Sequence, residues 1–364
     1  MNEEKVVLVT GVADYWGGRL ARRLLREEDT RVIGLDVERP EEEVKGLDFI
    51  QADVRNPLLA ELLRDEQVDT VCHLSFIESF RRSEAIFDFN VMGTMKIIGA
   101  SAESGVRRVV LKSSTMVYGA HPDNDAFLTE DSRLRGSRRY GYNRYRLEIE
   151  SFINGFRRQA PGLEVTLLRF ANVLGPTAGT PLNAYLRLPV TPILLGFDPM
   201  LQVIHEDDAI EALVHAVYAE SAGVFNVAAD PPLPLLRILG LAGKVPLPVL
   251  HPLAYRGVNW LGNSRLRSFA PLEPDYLRYR WVSDLSRMRE AFQFFPELAG
   301  DEVVEALGVQ MRMKHYKKPR TEDIVYDEER LRATIERRRQ ARAERDGREG
   351  RYRRQEEVEE VTNG

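Results

Sequence analysis

Gly11, Gly17 and Gly18 close a run of four apolar residues, Val6 to Val9, and a carboxylate, Asp36, ends the next apolar run 25 residues after Gly11. Leu20, Leu24 and Leu25 follow the glycines at helical spacing. A buried strand, a glycine turn and a helix together aim helix N-terminal amides at a phosphate. A carboxylate at the distance of Asp36 is placed to accept from the diol of an adenosine ribose. Glycines in such a turn also serve close strand–helix packing alone; it is Asp36 that adds a reason to expect a dinucleotide.

Strands and helices alternate around this stretch for about 175 residues. Arg31 to Leu35 reads as a second strand, a short third one ends near Ile50, and Pro57 suits the first turn of a helix. Val68 to Leu74, Val106 to Leu111 and Leu163 to Phe170 read as further strands. Helices are expected over roughly Ser83 to Ser104 and Tyr140 to Phe156, the second with Tyr145, Ile149, Phe152 and Phe156 on one stripe. The fold class predicted is α/β, a doubly wound parallel sheet with right-handed crossovers.

After about Thr177, frequent prolines chop the chain into short pieces, with a helix expected over Asp207 to Glu220 and a strand over Gly223 to Ala228. Asp207 and Asp208 suit a helix N-cap and its dipole better than catalysis. The Pro-rich apolar stretch Val245 to Leu261 reads as lobe packing, because Pro, His, Arg and Asn interrupt it. The expected division is a dinucleotide-binding domain over 1–176 and a smaller substrate-binding lobe over 177–326. Helix 207–220 and strand 223–228 return to the core of the first. A charged tail, 327–364, is helical or disordered; its last 34 residues hold ten Arg against eight Asp or Glu.

Composition excludes several classes. A formal charge of −5 gives no drive toward nucleic acid or anionic membrane. A single cysteine, Cys72, rules out an intramolecular disulfide framework and fits a reducing compartment. No apolar run reaches the ~18 residues of a spanning helix, and the early first strand leaves no room for a signal peptide. A cytoplasmic enzyme is expected. The six histidines show no metal spacing.

In order, the motifs resemble the extended short-chain dehydrogenase/reductase family, the NAD-dependent epimerase/dehydratase branch, over roughly residues 5–300. Thr10-Gly11-Val12-Ala13-Asp14-Tyr15-Trp16-Gly17 stands where that family has TGxxGxxG. Asp69 to Leu74 with Ser75 is similar to its DxVxHLA strand, Asn90 to Thr94 to NxxGT, and Ser113 to Gly119 to SSxxVYG. Tyr140-Gly141-Tyr142-Asn143-Arg144 with Glu148 matches YGxSKxxxE except at the lysine. Arg169 to Pro176 is similar to RxxNVxGP, and His205 to Asp208 to the HVxD helix start. The nearest likeness is a bacterial UDP-glucose 4-epimerase-like subgroup with an atypical active site.

The resemblance implies a Rossmann-like fold, NAD as cofactor, a nucleotide sugar or other small molecule as substrate, and a homodimer built on the helices of 83–104 and 140–156. It implies Tyr140 as acid/base, Ser114 on the same substrate oxygen, Arg144 as the cation beside them and Asn90 ordering the active-site helix. Cofactor contacts would come from Thr10, Gly11, Asp14, Tyr15, Trp16, Gly17, Asp36, Asp53, Val54, Leu74 and Ser75, together with Tyr140 and Arg144. Asn172 and Ser114 would meet the substrate. A tyrosine ordinarily titrates near pH ~10, so a neighbouring cation must lower it for work near neutrality.

Three positions depart from the pattern. Asp14 replaces a glycine, Arg144 replaces the lysine, and Leu201 stands where a UDP-sugar epimerase has an arginine for the nucleotide phosphates. Thr115-Met116 stand where the family's dehydratases carry Asp-Glu after a threonine, which disfavours a dehydratase. The readings open at this point are a nucleotide-sugar epimerase or related oxidoreductase, a dinucleotide-binding module without turnover, and a dehydrogenase/reductase of a non-nucleotide alcohol.

Overall fold

Lys5–Thr10 (β1) is buried on both faces because Val7 and Val9 pack to one side and Leu8 to the other. The computed structural model describes residues 4–78, 83–188, 190–251, 253, 273–313, 332 and 336. The chain divides into two compact units, Met1–Gln310 and Met311–Gly364. In the second, the described residues are the end of helix Gly300–Met313 and the helical Arg332 and Glu336.

After β1 come helix Tyr15–Leu24 (α1), strands Thr30–Asp36 (β2) and Asp48–Gln51 (β3), helix Leu59–Asp65 (α2) and strand Thr70–His73 (β4). Helices Glu84–Phe87 (α3) and Gly93–Ser104 (α4), strand Arg108–Ser114 (β5), helix Gly141–Phe156 (α5) and strands Glu164–Phe170 (β6) and Asn172–Leu174 (β7) complete the alternating part. Helix Pro181–Leu186 (α6) and strands Thr191–Leu194 (β8), Met200–Leu201 (β9) and Val203–His205 (β10) lead to helix Glu206–Tyr218 (α7). Strands Val224–Val227 (β11) and Leu233–Pro234 (β12), helix Leu235–Leu241 (α8) and strand Pro246–Val249 (β13) follow.

Seven parallel strands form one sheet in the order β11-β6-β5-β4-β1-β2-β3. Strand order reverses between β1 and β4, which opens a crevice at the carboxyl ends of those strands, where open α/β sheets bind ligands. Leu20 and Leu24 of α1 and Ala212 and Leu213 of α7 cover one face. Leu59 and Leu63 of α2, Ile97 and Ile98 of α4, and Tyr145 and Ile149 of α5 cover the other. Each such fully buried aliphatic side chain contributes about 1.5–3 kcal/mol. Beyond β6, three two-stranded pairs form outside the main sheet, β10-β7, β12-β9 and β13-β8. Of the stretch 245–261, β13 pairs in parallel with β8, and 254–261 lie outside the described residues, as does most of the 327–364 tail. No described helix is long and apolar enough to cross a membrane.

The helical stretch expected over 83–104 is continuous from Glu84 to Ser104, with a π-turn at Asp88–Met92 where the Asn90 side chain is tied to the loop after β4. One local expectation is corrected. The N-cap of α7 is His205, whose Nδ1 accepts from the Asp207 N–H at 3.3 Å. Asp208 instead accepts from the Glu297 and Leu298 N–H groups, and Asp207 pairs with Arg19.

Candidate active site

The turn after β1 crosses hard against the end of β4. Gly11 has φ +75°, and a Cβ there would stand 2.8 Å from the Ser75 backbone. A Cβ on Gly17 would strike the Gly11 carbonyl, so α1 can begin this close to the strand only with glycine. Thr10 secures the crossing: its Oγ1 accepts from the Leu74 N–H at 3.1 Å and the Ser75 N–H at 3.2 Å. Asp14 takes the middle glycine position without strain, because its φ is −90°. Its carboxyl is raised above its usual range by burial and then by Asp36 and Glu38.

Asp36 ends β2 buried, with Oδ2 accepting from the Ala13 N–H at 2.9 Å and Oδ1 from the Glu38 N–H at 3.2 Å. The structure thus brings the glycine turn and Asp36 together at the switch point. Asp53 is half-buried and clasped by Arg55, 2.6 Å from Nη2, while Val54 beside it packs against Gly93. The Tyr15 hydroxyl donates to Glu206 at 2.5 Å and accepts from Arg19 at 2.7 Å, which ties the start of α1 to the start of α7. Trp16 stacks on Phe170, ring centroids 6.1 Å apart and planes 18° apart.

On the other side of the crevice, Asn90, Lys112, Ser113, Tyr142, Arg146 and Glu150 line one small cavity. Asn90 donates to the Ile77 carbonyl and accepts from its N–H, both at 2.9 Å, clamping the loop after β4. Ser113 donates to Glu150 at 2.5 Å, and Glu150 receives Arg169 Nη2 at 2.5 Å and Nε at 3.0 Å. Ser114, one residue on, accepts from the Met116 N–H and caps the 3-10 turn Thr115–Tyr118.

The tyrosine–cation spacing occurs twice on α5, two residues apart: Tyr140, Arg144 and Glu148, then Tyr142, Arg146 and Glu150. The cavity takes the second set. Tyr140 caps α5 and stacks on Tyr142, with Arg139 over its ring. Arg144 lies over Phe87, 5.1 Å from its centroid, and 3.9 Å from Glu84 on α3; Glu148 pairs with Arg138. The Tyr142 hydroxyl donates to Glu273 at 2.8 Å, and burial and then Glu273 hold it well above the ordinary phenol range. Burial pushes the Glu273 carboxyl up to about 7, and burial and then Glu273 raise Tyr140 as well. Sequence reasoning missed Lys112, Tyr142, Arg146 and Glu273; for the α5 pair the repeated spacing was the available signal.

Asn172 donates to the Gln202 carbonyl at 2.8 Å. Leu201 is 1% exposed and pairs with Leu233, so the position of the missing arginine belongs to the apolar core.

Residues 7–228 match the model of the NAD-dependent epimerase/dehydratase family. An uncharacterised protein of Mycobacterium tuberculosis is 38% identical over 309 residues, 80% of this chain and 80% of its own length. The UDP-glucose 4-epimerase of Thermotoga maritima, solved with UDP-glucose, superposes with a TM-score of 0.66 at 18% identity, covering 86% of this chain and all of that one. The UDP-glucuronic acid 4-epimerase of Bacillus cereus, solved with UDP-glucuronic acid and NAD, gives 0.64 at 20% identity over 85% and 99%. The two folds share the present architecture, and the family match rests on the sequence itself: the chain belongs to the NAD-dependent epimerase/dehydratase family.

Proposed function

We propose that this chain binds NAD along the carboxyl edge of its sheet and moves hydride to and from a hydroxyl-bearing small molecule, a nucleotide sugar being the favoured class. One observation carries the reading. The glycine turn with Asp36 lies on one side of the switch point, and a cavity lined by Tyr142, Tyr145, Ser113, Lys112 and Arg146 lies on the other. The residues at the turn fit the dinucleotide: Gly11 and Gly17 let the start of α1 lie tight against the ends of β1 and β4, so that its N-terminal amides can face a phosphate at the carboxyl edge. Thr10, Gly11, Asp14, Tyr15, Trp16 and Gly17 would surround the phosphates, Asp36 would accept from the adenosine ribose, and Asp53 and Val54 would face the adenine. Leu74 and Ser75 would support the nicotinamide end.

When bound, the dinucleotide supplies the hydride acceptor and donor. The chain's own groups must hold the substrate hydroxyl and pass its proton. Ser114 is proposed to hydrogen-bond that oxygen, Asn172 to contact the substrate, and Asn90 to keep the loop after β4 in place. Between the tyrosine–cation sets of α5, cavity lining supports Tyr142 with Arg146 over Tyr140 with Arg144 as acid/base and companion cation. The free Cys72 is buried, consistent with a proposed cytoplasmic setting.

A second reading, a dinucleotide-binding module without turnover, is favoured by the upward titration of both tyrosines and by the burial of Leu201. The purified chain should be offered UDP-sugars with NAD, then simple alcohols with NAD, while product and NAD affinity are followed. Tyr142→Phe is expected to abolish turnover and leave NAD affinity nearly intact; Tyr140→Phe is expected to keep turnover. The reverse pattern returns the role to Tyr140 and Arg144. NAD binding without any product supports the second reading, and no NAD binding overturns both.

A further inference from the structure

Lys112 lies inside β5, where its neighbours Val109, Val110 and Leu111 are core residues. Its own side chain is 8% exposed and reaches over the carboxyl edge of the sheet, with Nζ 3.1 Å from Glu78. Arg146 reaches the same carboxylate from α5, its Nη2 at 2.6 and 2.8 Å from the two oxygens. Among the described residues, two cations therefore share one carboxylate in a cavity whose other acid, Glu150, is already matched by Arg169. One positive charge is left over in a place where burial already holds the ammonium below its ordinary range.

Lys112 also touches the turn. Its Nζ lies 4.7 Å from the centre of the Trp16 ring, and Trp16 belongs to the first turn of α1. The chain thus places a spare cation between the helix start that faces phosphate and the cavity that would hold the reacting groups. We propose that Lys112 is a ligand-binding residue for the far half of the dinucleotide, its second phosphate and the ribose next to it, supplied from strand β5 rather than from helix α5. This inference rests on the NAD reading above. A compact ammonium with three donors can serve both a phosphate oxygen and a ribose hydroxyl, and the positive charge left over in the cavity suits an anionic phosphate.

The test compares NAD, ADP-ribose and AMP by calorimetric titration on the wild-type chain and on Lys112→Met and Lys112→Arg, with Trp16 fluorescence as a second readout. Lys112→Met is expected to weaken NAD and ADP-ribose by about tenfold or more and to leave AMP unchanged, because AMP lacks the far half. Lys112→Arg should recover part of the loss, and wild-type Trp16 emission should change on binding ADP-ribose more than on binding AMP. Glu78→Gln, which releases the ammonium from its carboxylate, should tighten ADP-ribose. Equal losses for AMP and ADP-ribose would make Lys112 a structural residue and overturn the proposal, as would unchanged affinity for all three. Should the wild-type chain bind none of them, the NAD reading falls and takes this inference with it.

Discussion

The hydroxyl of Thr10 lies 2.8 Å from Nδ1 of His73, and the direction of that bond is fixed by its surroundings. Thr10 already accepts two backbone N–H groups, so its own proton goes to His73. His73 must then carry its proton on Nε2, 3.1 Å from Thr94, whose hydroxyl donates to the Asn90 carbonyl at 2.5 Å inside the π-turn. The glycine turn and the π-turn are thereby linked through one neutral imidazole.

Burial pushes His73 from its ordinary 6.5 down to about 3. The unfolded chain takes up the proton first as pH falls. The stabilisation from keeping His73 neutral is thus complete above pH 6.5 and is lost progressively as pH drops toward 3. Urea unfolding from pH 7.5 to pH 5 should show a wild-type stability that falls faster than that of His73→Asn, by at most about 1.4 kcal/mol per pH unit. Parallel curves would show that His73 is not the neutral link described.

Asp36, Asp14 and Glu38 put three carboxylates around the position proposed for the adenosine ribose. A 2′-phosphate would meet that charge, so NAD is expected to bind about tenfold more tightly than NADP. Asp36→Asn should narrow the gap by weakening NAD more than NADP. Tighter binding of NADP in a calorimetric comparison would refute this.

Glu150 and Arg169 are 2% and 3% exposed and share three hydrogen bonds, with Arg169 also donating to Tyr118 and to the Glu130 carbonyl. Removing one charge of a buried pair leaves the other uncompensated. Glu150→Gln should cost about 3–5 kcal/mol in chemical unfolding. Glu148→Gln should cost under about 1 kcal/mol, since its pair with Arg138 is largely solvated. Equal costs would mean that the register of α5 against the sheet differs from the one described.

A homodimer through α4 and α5 is proposed on their incompletely covered apolar residues, Met95, Phe152 and Phe156. Light scattering at micromolar protein should give twice the chain mass, and Phe152→Glu should reduce it to one. A monomeric wild type would end the proposal.

The doubly wound sheet was readable because its strands are short apolar runs broken by turn residues, and even β11, distant in sequence, stood out as Gly223 to Ala228. The glycine turn and Asp36 were readable because one backbone geometry and one donor–acceptor pairing dictate both. Which residues of α5 line the cavity was not. Two Tyr-x-x-x-Arg-x-x-x-Glu sets overlap there, and what separates them is which glutamate meets Arg169 across the core. The π-turn was hidden for the same reason, since the Ile77 backbone that holds Asn90 lies 13 residues earlier. Lys112 gave no signal at all: within an apolar strand, a lysine announces neither its neighbours nor its direction.

The bond from Tyr15 to Glu206 has a mechanical consequence. Glu206 sits where any side chain on Gly175 would collide with it, and it also receives the Thr177 hydroxyl at 3.0 Å. The first turn of α1 is thereby bolted to the exit of β7. If α1 shifts to meet a phosphate, Glu206 and the segment around Gly175 are pulled the same way. Any displacement of one would be passed to the other, with Tyr15 as the pin between them.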